Sequence, residues 1–124
     1  MNLASLLPLI DDVTGYRHLV EGLRRGQEEA VVVLDAAKPY LLASLHREVA
    51  LPMLVVTPRP EETRHLQDQL IAWGVDAFIF PEPDSLPYER LASDSSTSQH
   101  RIKALSTLNR EHEAPLIIAS AYAI

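Results

Sequence analysis

Lys38 follows a β-branched run, at the kind of strand-to-helix junction where α/β proteins hold phosphates. A phosphate loop needs the frame G-x-x-x-x-G-K-[ST]. Its glycines let backbone N–H groups wrap the phosphates, while the lysine and the hydroxyl serve phosphate and magnesium. The frame here is Val32-Val33-Leu34-Asp35-Ala36-Ala37-Lys38-Pro39, and only the lysine survives. Val32 and Ala37 fill the glycine positions with side chains that restrict φ and crowd a ligand. Pro39 replaces the hydroxyl, and Asp35 puts negative charge where phosphates would lie. The junction is therefore expected to be a plain β–α turn, with Lys38 the remnant of a degenerate phosphate loop and no cofactor held there.

The other residues able to do chemistry are scattered. Of the histidines His18, His46, His65, His100 and His112, no two stand at the i, i+4 spacing of a helical metal site. His46 and His65 lie among charged neighbours and are expected to face solvent. Asp11-Asp12 and Arg24-Arg25 suit the ends of helices. Ser93, Ser95, Ser96 and Ser98 have no nucleophile-elbow frame and no paired base, so acyl transfer has no support. The absence of cysteine excludes disulfides and thiolate metal sites and fits a cytoplasmic protein. No catalytic group and no metal site are expected.

Charge narrows the partners. Lys plus Arg number 11 against 17 Asp plus Glu, a formal charge of −6, so no direct DNA binding is expected: duplex affinity depends on cations that displace counterions. The longest apolar runs fall far short of a membrane span, and Met1 to Ile10 lacks the cationic start of a signal peptide.

The elements that must position these residues alternate. Two short amphipathic helices are expected over 1–28, one on Leu3, Leu6, Leu7 and Ile10, the next on Tyr16, Leu19, Val20 and Leu23, closed by Gly26. A βα core is expected over 29–124. Its four strands are Ala30 to Leu34, Pro52 to Thr57, Val75 to Phe80 and Pro115 to Ala119, each too short for a helix and apolar on both faces. Pro39 and Pro60 suit the first turns of the helices between them. One of these helices buries Leu66, Leu70, Ile71 and Trp73; a later one, after Ser98, carries the stripe Ile102, Leu105 and Leu108. Ser120 is expected to cap a further helix. Strands alternating with helices imply right-handed crossovers and a mostly parallel sheet of about four strands, helices on both faces. A strand followed by a cap and four residues suggests the N-terminal piece of a longer protein.

Between strand three and the last helix, residues 81–97 are rich in Pro, Ser and Asp, with Leu86, Tyr88 and Leu91 as large anchors. The segment follows the carboxyl end of a parallel strand, the rim where α/β folds put ligands and partners.

Here the chain resembles a known family. Leu86-Pro87-Tyr88-Glu89-Arg90-Leu91, followed ten residues on by Arg101-Ile102 and then Leu105 and Leu108, is similar to the N-terminal module of the bacterial transcription-repair coupling factor. Pro52-Met53-Leu54-Val55-Val56-Thr57-Pro58 matches that module's second strand. Leu116-Ile117-Ile118-Ala119-Ser120 is similar both to the factor and to the related excinuclease B protein, and Leu19 to Gly26 resembles the entry helix of excinuclease B. Ala92-Ser93-Asp94 departs from the family's pattern.

The resemblance implies a fragment of a RecA-like first domain of the excinuclease B kind. The parent would be an ATP-dependent DNA translocase, with ATP and magnesium in a downstream motor. It would release stalled RNA polymerase and recruit nucleotide excision repair through the excinuclease A protein. This piece would be a non-catalytic scaffold touching other domains of its parent, with Leu86, Pro87, Tyr88, Glu89, Arg90 and Arg101 as an internal or interdomain lock. The alternative is a nucleotide-binding fragment of a helicase-like protein of the excinuclease B type, motivated by Lys38.

Overall fold

The computed structural model describes residues 2–83, 95–109 and 114–124. The chain is α/β, with a small parallel sheet. A 3-10 segment, Ala4–Ile10, leads into α1 (Thr14–Arg24). A second 3-10 turn, Asp35–Ala37, leads into α2 (Lys38–Val49). Then come β1 (Met53–Thr57), α3 (Pro60–Ala72), β2 (Ala77–Phe80), α4 (Ser95–Leu108) and β3 (Leu116–Ser120).

Local chemistry explains most boundaries. Pro39 and Pro60 occupy the first turns of α2 and α3, where a missing N–H costs nothing. Gly26 and Gly74 take positive φ, 69° and 78°, just past α1 and α3. α2 ends differently: Ala50 enters the left-handed region at φ 51°, a conformation that its Cβ disfavours.

The strand order is β1-β3-β2, all parallel. In register, Met53 stands beside Leu116 and Leu116 beside Ala77. Every residue of β3 is buried, as the middle of a covered sheet requires. Met53, Val55, Leu116, Ile118 and Ala77 turn to one face, against Ala43 of α2 and Leu70 of α3; Leu7 and Val75 complete this core. Tyr16, Leu19 and Val20 of α1 form a second cluster with Leu45. Arg101 of α4 sits over Phe80, which lies on the opposite face of the sheet. Helices therefore lie on both faces, with Leu54 and Val56 of β1 left exposed on the α4 side.

The sheet differs from expectation in strand number. Three strands are present among the described residues, and Ala30 to Leu34 is not one of them. Val31, Val32 and Leu34 are exposed, and among the described residues no backbone hydrogen bond ties residues 30–33 to a neighbour. β-branching favours extended backbone but supplies no ladder partner, which tertiary placement must provide.

Two helix faces also shift. In α3, Leu70 is buried but Ile71 is exposed. In α4, Ala104 and Thr107 are buried while Ile102, Leu105 and Leu108 are exposed. α4 meets the sheet through its small side chains, which allow close approach, so the larger stripe lies to one side.

Candidate functional site

The turn at Lys38 is built by the second 3-10 segment. The Ala37 N–H donates to the Leu34 carbonyl at 2.9 Å, and Lys38 opens α2 directly afterwards. Asp35 and Lys38 then stand one turn apart, and Lys38 Nζ lies 2.6 Å from Asp35 Oδ1. The hydrogen bond and charge of Lys38 hold the Asp35 carboxyl below its ordinary range, and the same bond raises the Lys38 ammonium. The ammonium is thus paired with the carboxylate one turn before it. Both side chains are solvent-exposed, so the pair contributes little to folding.

A cavity of about 750 Å³ opens beside this turn, within the size range of small-molecule sites. Leu41, Leu42, Val55, Val56 and Leu66 make it apolar, and Asp35, Glu61 and Glu62 add carboxylates against Lys38. That charge pattern repels a polyphosphate.

The second locality is the carboxyl rim of the sheet, where Arg101 lies. Arg101 Nη1 donates to the Pro81 carbonyl at 2.6 Å and reaches the Ala123 carbonyl at 3.5 Å. Its guanidinium carbon sits 4.1 Å from the centroid of the Phe80 ring, in cation–π range. One side chain on α4 therefore ties together the segment leaving β2 and the turn leaving β3. The other five residues expected at this lock, Leu86, Pro87, Tyr88, Glu89 and Arg90, lie outside the described residues.

Sequence reasoning misses the rest of this rim. Ser120, expected to cap a helix, instead ends β3, and its hydroxyl donates to Glu82 Oε1 at 2.5 Å. A turn follows in place of a new helix. The Thr57 and Thr63 hydroxyls share a hydrogen bond at 2.6 Å, and the Arg59 carbonyl lies within reach of both, at 3.1 and 3.4 Å. These bonds join the ends of β1 and β3 to the chain beyond β2 and to α3. The available signal is the hydroxyl residue ending each buried run, Thr57 and Ser120. A cavity of about 300 Å³ at this rim is bordered by Thr63, Arg64, Glu82, Thr97 and Ser120.

His65 is exposed as expected. His46 is not: it is half-buried, and its Nε2 lies 2.6 Å from the Ala114 carbonyl. A carbonyl only accepts, so Nε2 carries a proton, and the imidazole fastens α2 to the entry of β3. Asp11 pairs with Arg47, and Arg24 Nη2 lies 2.8 Å from Glu48 Oε1, so one member of each charged doublet ties α2 to the N-terminal segments. Among the described residues, no group of three or more His, Cys, Asp or Glu side chains is placed to hold a metal, and no helix is long and apolar enough to cross a membrane.

No protein-family model matches the chain, and no curated protein matches it.

Proposed function

We propose that the chain is a non-catalytic scaffold module from the N-terminal region of a transcription-repair coupling factor. Its parent would be an ATP-dependent DNA translocase that releases stalled RNA polymerase and recruits excision repair through the excinuclease A protein. The observation that carries this reading is the run Leu86-Pro87-Tyr88-Glu89-Arg90-Leu91 set ten residues before Arg101-Ile102, within an alternating α/β chain.

The non-catalytic part draws support from the Lys38 turn. The expected phosphate lysine faces the carboxylate of Asp35, and side chains stand at both glycine positions. The scaffold part draws support from Arg101, which fastens two strand ends rather than facing a ligand. Calorimetry of the chain with ATP should give no heat at millimolar nucleotide. In the parent, Tyr88→Ala or Arg90→Ala should alter recruitment of excinuclease A or basal ATPase. Unchanged recruitment, ATPase and stability would remove the lock.

One observation favours the alternative, a nucleotide-binding fragment of the excinuclease B type: Lys38 borders a cavity of ligand size. That reading requires ATP binding competed by ADP and abolished in Lys38→Ala.

A further inference from the structure

A further cavity opens over β2, walled by α3 and α4, and adjoins the rim cavity at Arg64 and Pro81. It measures about 380 Å³, within the size range of small-ligand sites. Both walls are fastened to the strand. Gln67 Nε2 donates to the Ala77 carbonyl at 2.7 Å and ties α3 to β2, while Arg101 ties α4 to the end of β2.

Arg64 borders this cavity from α3, and His100 and Lys103 border it from α4. His100 and Lys103 stand three residues apart, so they share a helix face. Among the described residues, none of the three side chains makes a hydrogen bond or an ion pair, and no carboxylate borders the cavity. Cations elsewhere in the chain are treated differently: Arg24, Lys38, Arg47 and Arg59 each face a carboxylate. Arg64 and Lys103 therefore direct uncompensated positive charge into one cavity of a chain whose formal charge is −6. An anion seated between them relieves their mutual repulsion.

The donors and the surface beside them narrow the class of anion. Arg64 offers a planar fork of N–H groups, Lys103 an ammonium and His100 a ring nitrogen, a set that suits the several acceptor oxygens of a phosphoryl group. Half-buried Phe78 and Ile79, with buried Ala104, supply apolar surface for the rest of a ligand. A long polyanion fits less well. On α3, Glu61 and Asp68 stand one turn to either side of Arg64, and Glu82 follows β2, so negative charge returns within a screening length of the cavity.

We propose that this cavity binds a small phosphomonoester, its phosphoryl group between Arg64, His100 and Lys103 and its apolar body against Phe78. The site lies apart from the Lys38 turn and does not depend on the scaffold reading.

NMR titration of the intact 124-residue chain with phenyl phosphate tests the site. Signals of the Phe78 ring, the Ile79 amide and the Lys103 side chain should shift together and saturate, with a dissociation constant of about 1 mM or lower. Inorganic phosphate should shift the Lys103 signals about tenfold more weakly, because it lacks the apolar body, and phenol should give no saturable shift. Arg64→Gln/Lys103→Gln should weaken phenyl phosphate by at least about tenfold. Arg25→Gln, which removes a cation outside the cavity, should leave the affinity unchanged. The Leu116 amide in the central strand reports in each variant that the core has stayed folded. Shifts that fail to saturate by about 10 mM overturn the proposal. So does affinity that survives the double variant, or that falls equally in Arg25→Gln. Inorganic phosphate binding as tightly as the ester overturns the organic ligand. A single-stranded oligonucleotide that displaces phenyl phosphate at lower concentration also overturns it, because the site then belongs to a nucleic acid.

Discussion

The guanidinium of Arg101 lies over the ring of Phe80 while its Nη1 holds the Pro81 carbonyl, so α4 is pinned to the end of β2 by one side chain using two different attractions. Neither attraction needs a second protein. The only described member of the expected lock thus acts within the domain, at the rim where the strands end.

Arg101→Ala should cost about 1–3 kcal/mol, the sum of one charge-assisted hydrogen bond and one partly exposed cation–π contact. Arg101→Lys should recover less than half, because an ammonium cannot stack flat on Phe80 and reach both carbonyls. Urea unfolding of the three proteins measures this. Equal midpoints for all three would show that the contacts carry no weight.

Tyr16 should shape the alkaline limb of stability. Its side chain is buried in the α1–α2 cluster, and its hydroxyl has no well-formed hydrogen bond among the described residues. Burial raises its pKa above 10.0, and the nearby Arg47 only partly opposes this. The phenol therefore loses its proton in the unfolded chain before the folded one. Its contribution is complete below pH 10 and is lost as pH rises through the higher folded value. Tyr16→Phe should flatten the fall in melting temperature above about pH 10 and leave neutral stability equal or improved, since an unpaired hydroxyl is removed. A steeper alkaline fall in the variant would contradict this account.

Ala50→Gly should stabilise the chain. Left-handed backbone costs a residue with a Cβ about 1–2 kcal/mol, and glycine returns about 0.4–1 kcal/mol through a freer unfolded chain. The first effect wins, by about 0.5–1 kcal/mol. A lower melting temperature for the glycine variant would show that Ala50 is held by contacts worth more than its strain.

Ile118→Ala should be among the costliest single changes. Ile118 is fully buried in the middle of the central strand, between Val55 and Ile79. Truncation there should cost roughly 3–4 kcal/mol, against about 1 kcal/mol for Ile118→Val. A domain of ordinary stability has only about 5–15 kcal/mol in total, so the alanine variant should melt far lower. Denaturant midpoints for both variants check the ratio.

His46 and Arg101 show why site geometry is only partly legible in a sequence. Each is visible as a residue able to bond, yet its partner lies far along the chain: Ala114 for His46, Pro81 and Ala123 for Arg101. Charged neighbours make His46 look solvent-facing, but the helix direction carries it to the start of β3. In α4, periodicity marks Ile102, Leu105 and Leu108, whereas the contact uses Ala104 and Thr107. Amphipathic spacing identifies an apolar side without showing which flank the sheet will meet.

Local chemistry by itself determined where this chain turns and what most of its elements are. Pro39, Pro60, Gly26 and Gly74 act through their own φ preferences, and the short apolar runs at 53–57, 77–80 and 116–120 favour extended strands. The missing phosphate-loop glycines were equally legible, because a Cβ is a property of the residue itself. Tertiary structure alone decided the strand order, the placing of β3 between β1 and β2, the joining of Ser120 to Glu82, and the separation of Ala30 to Leu34 from the sheet. Those depend on which distant surfaces meet. Hydrogen-bond pairing and hydrophobic burial are rewarded only between groups brought together from opposite ends of the chain.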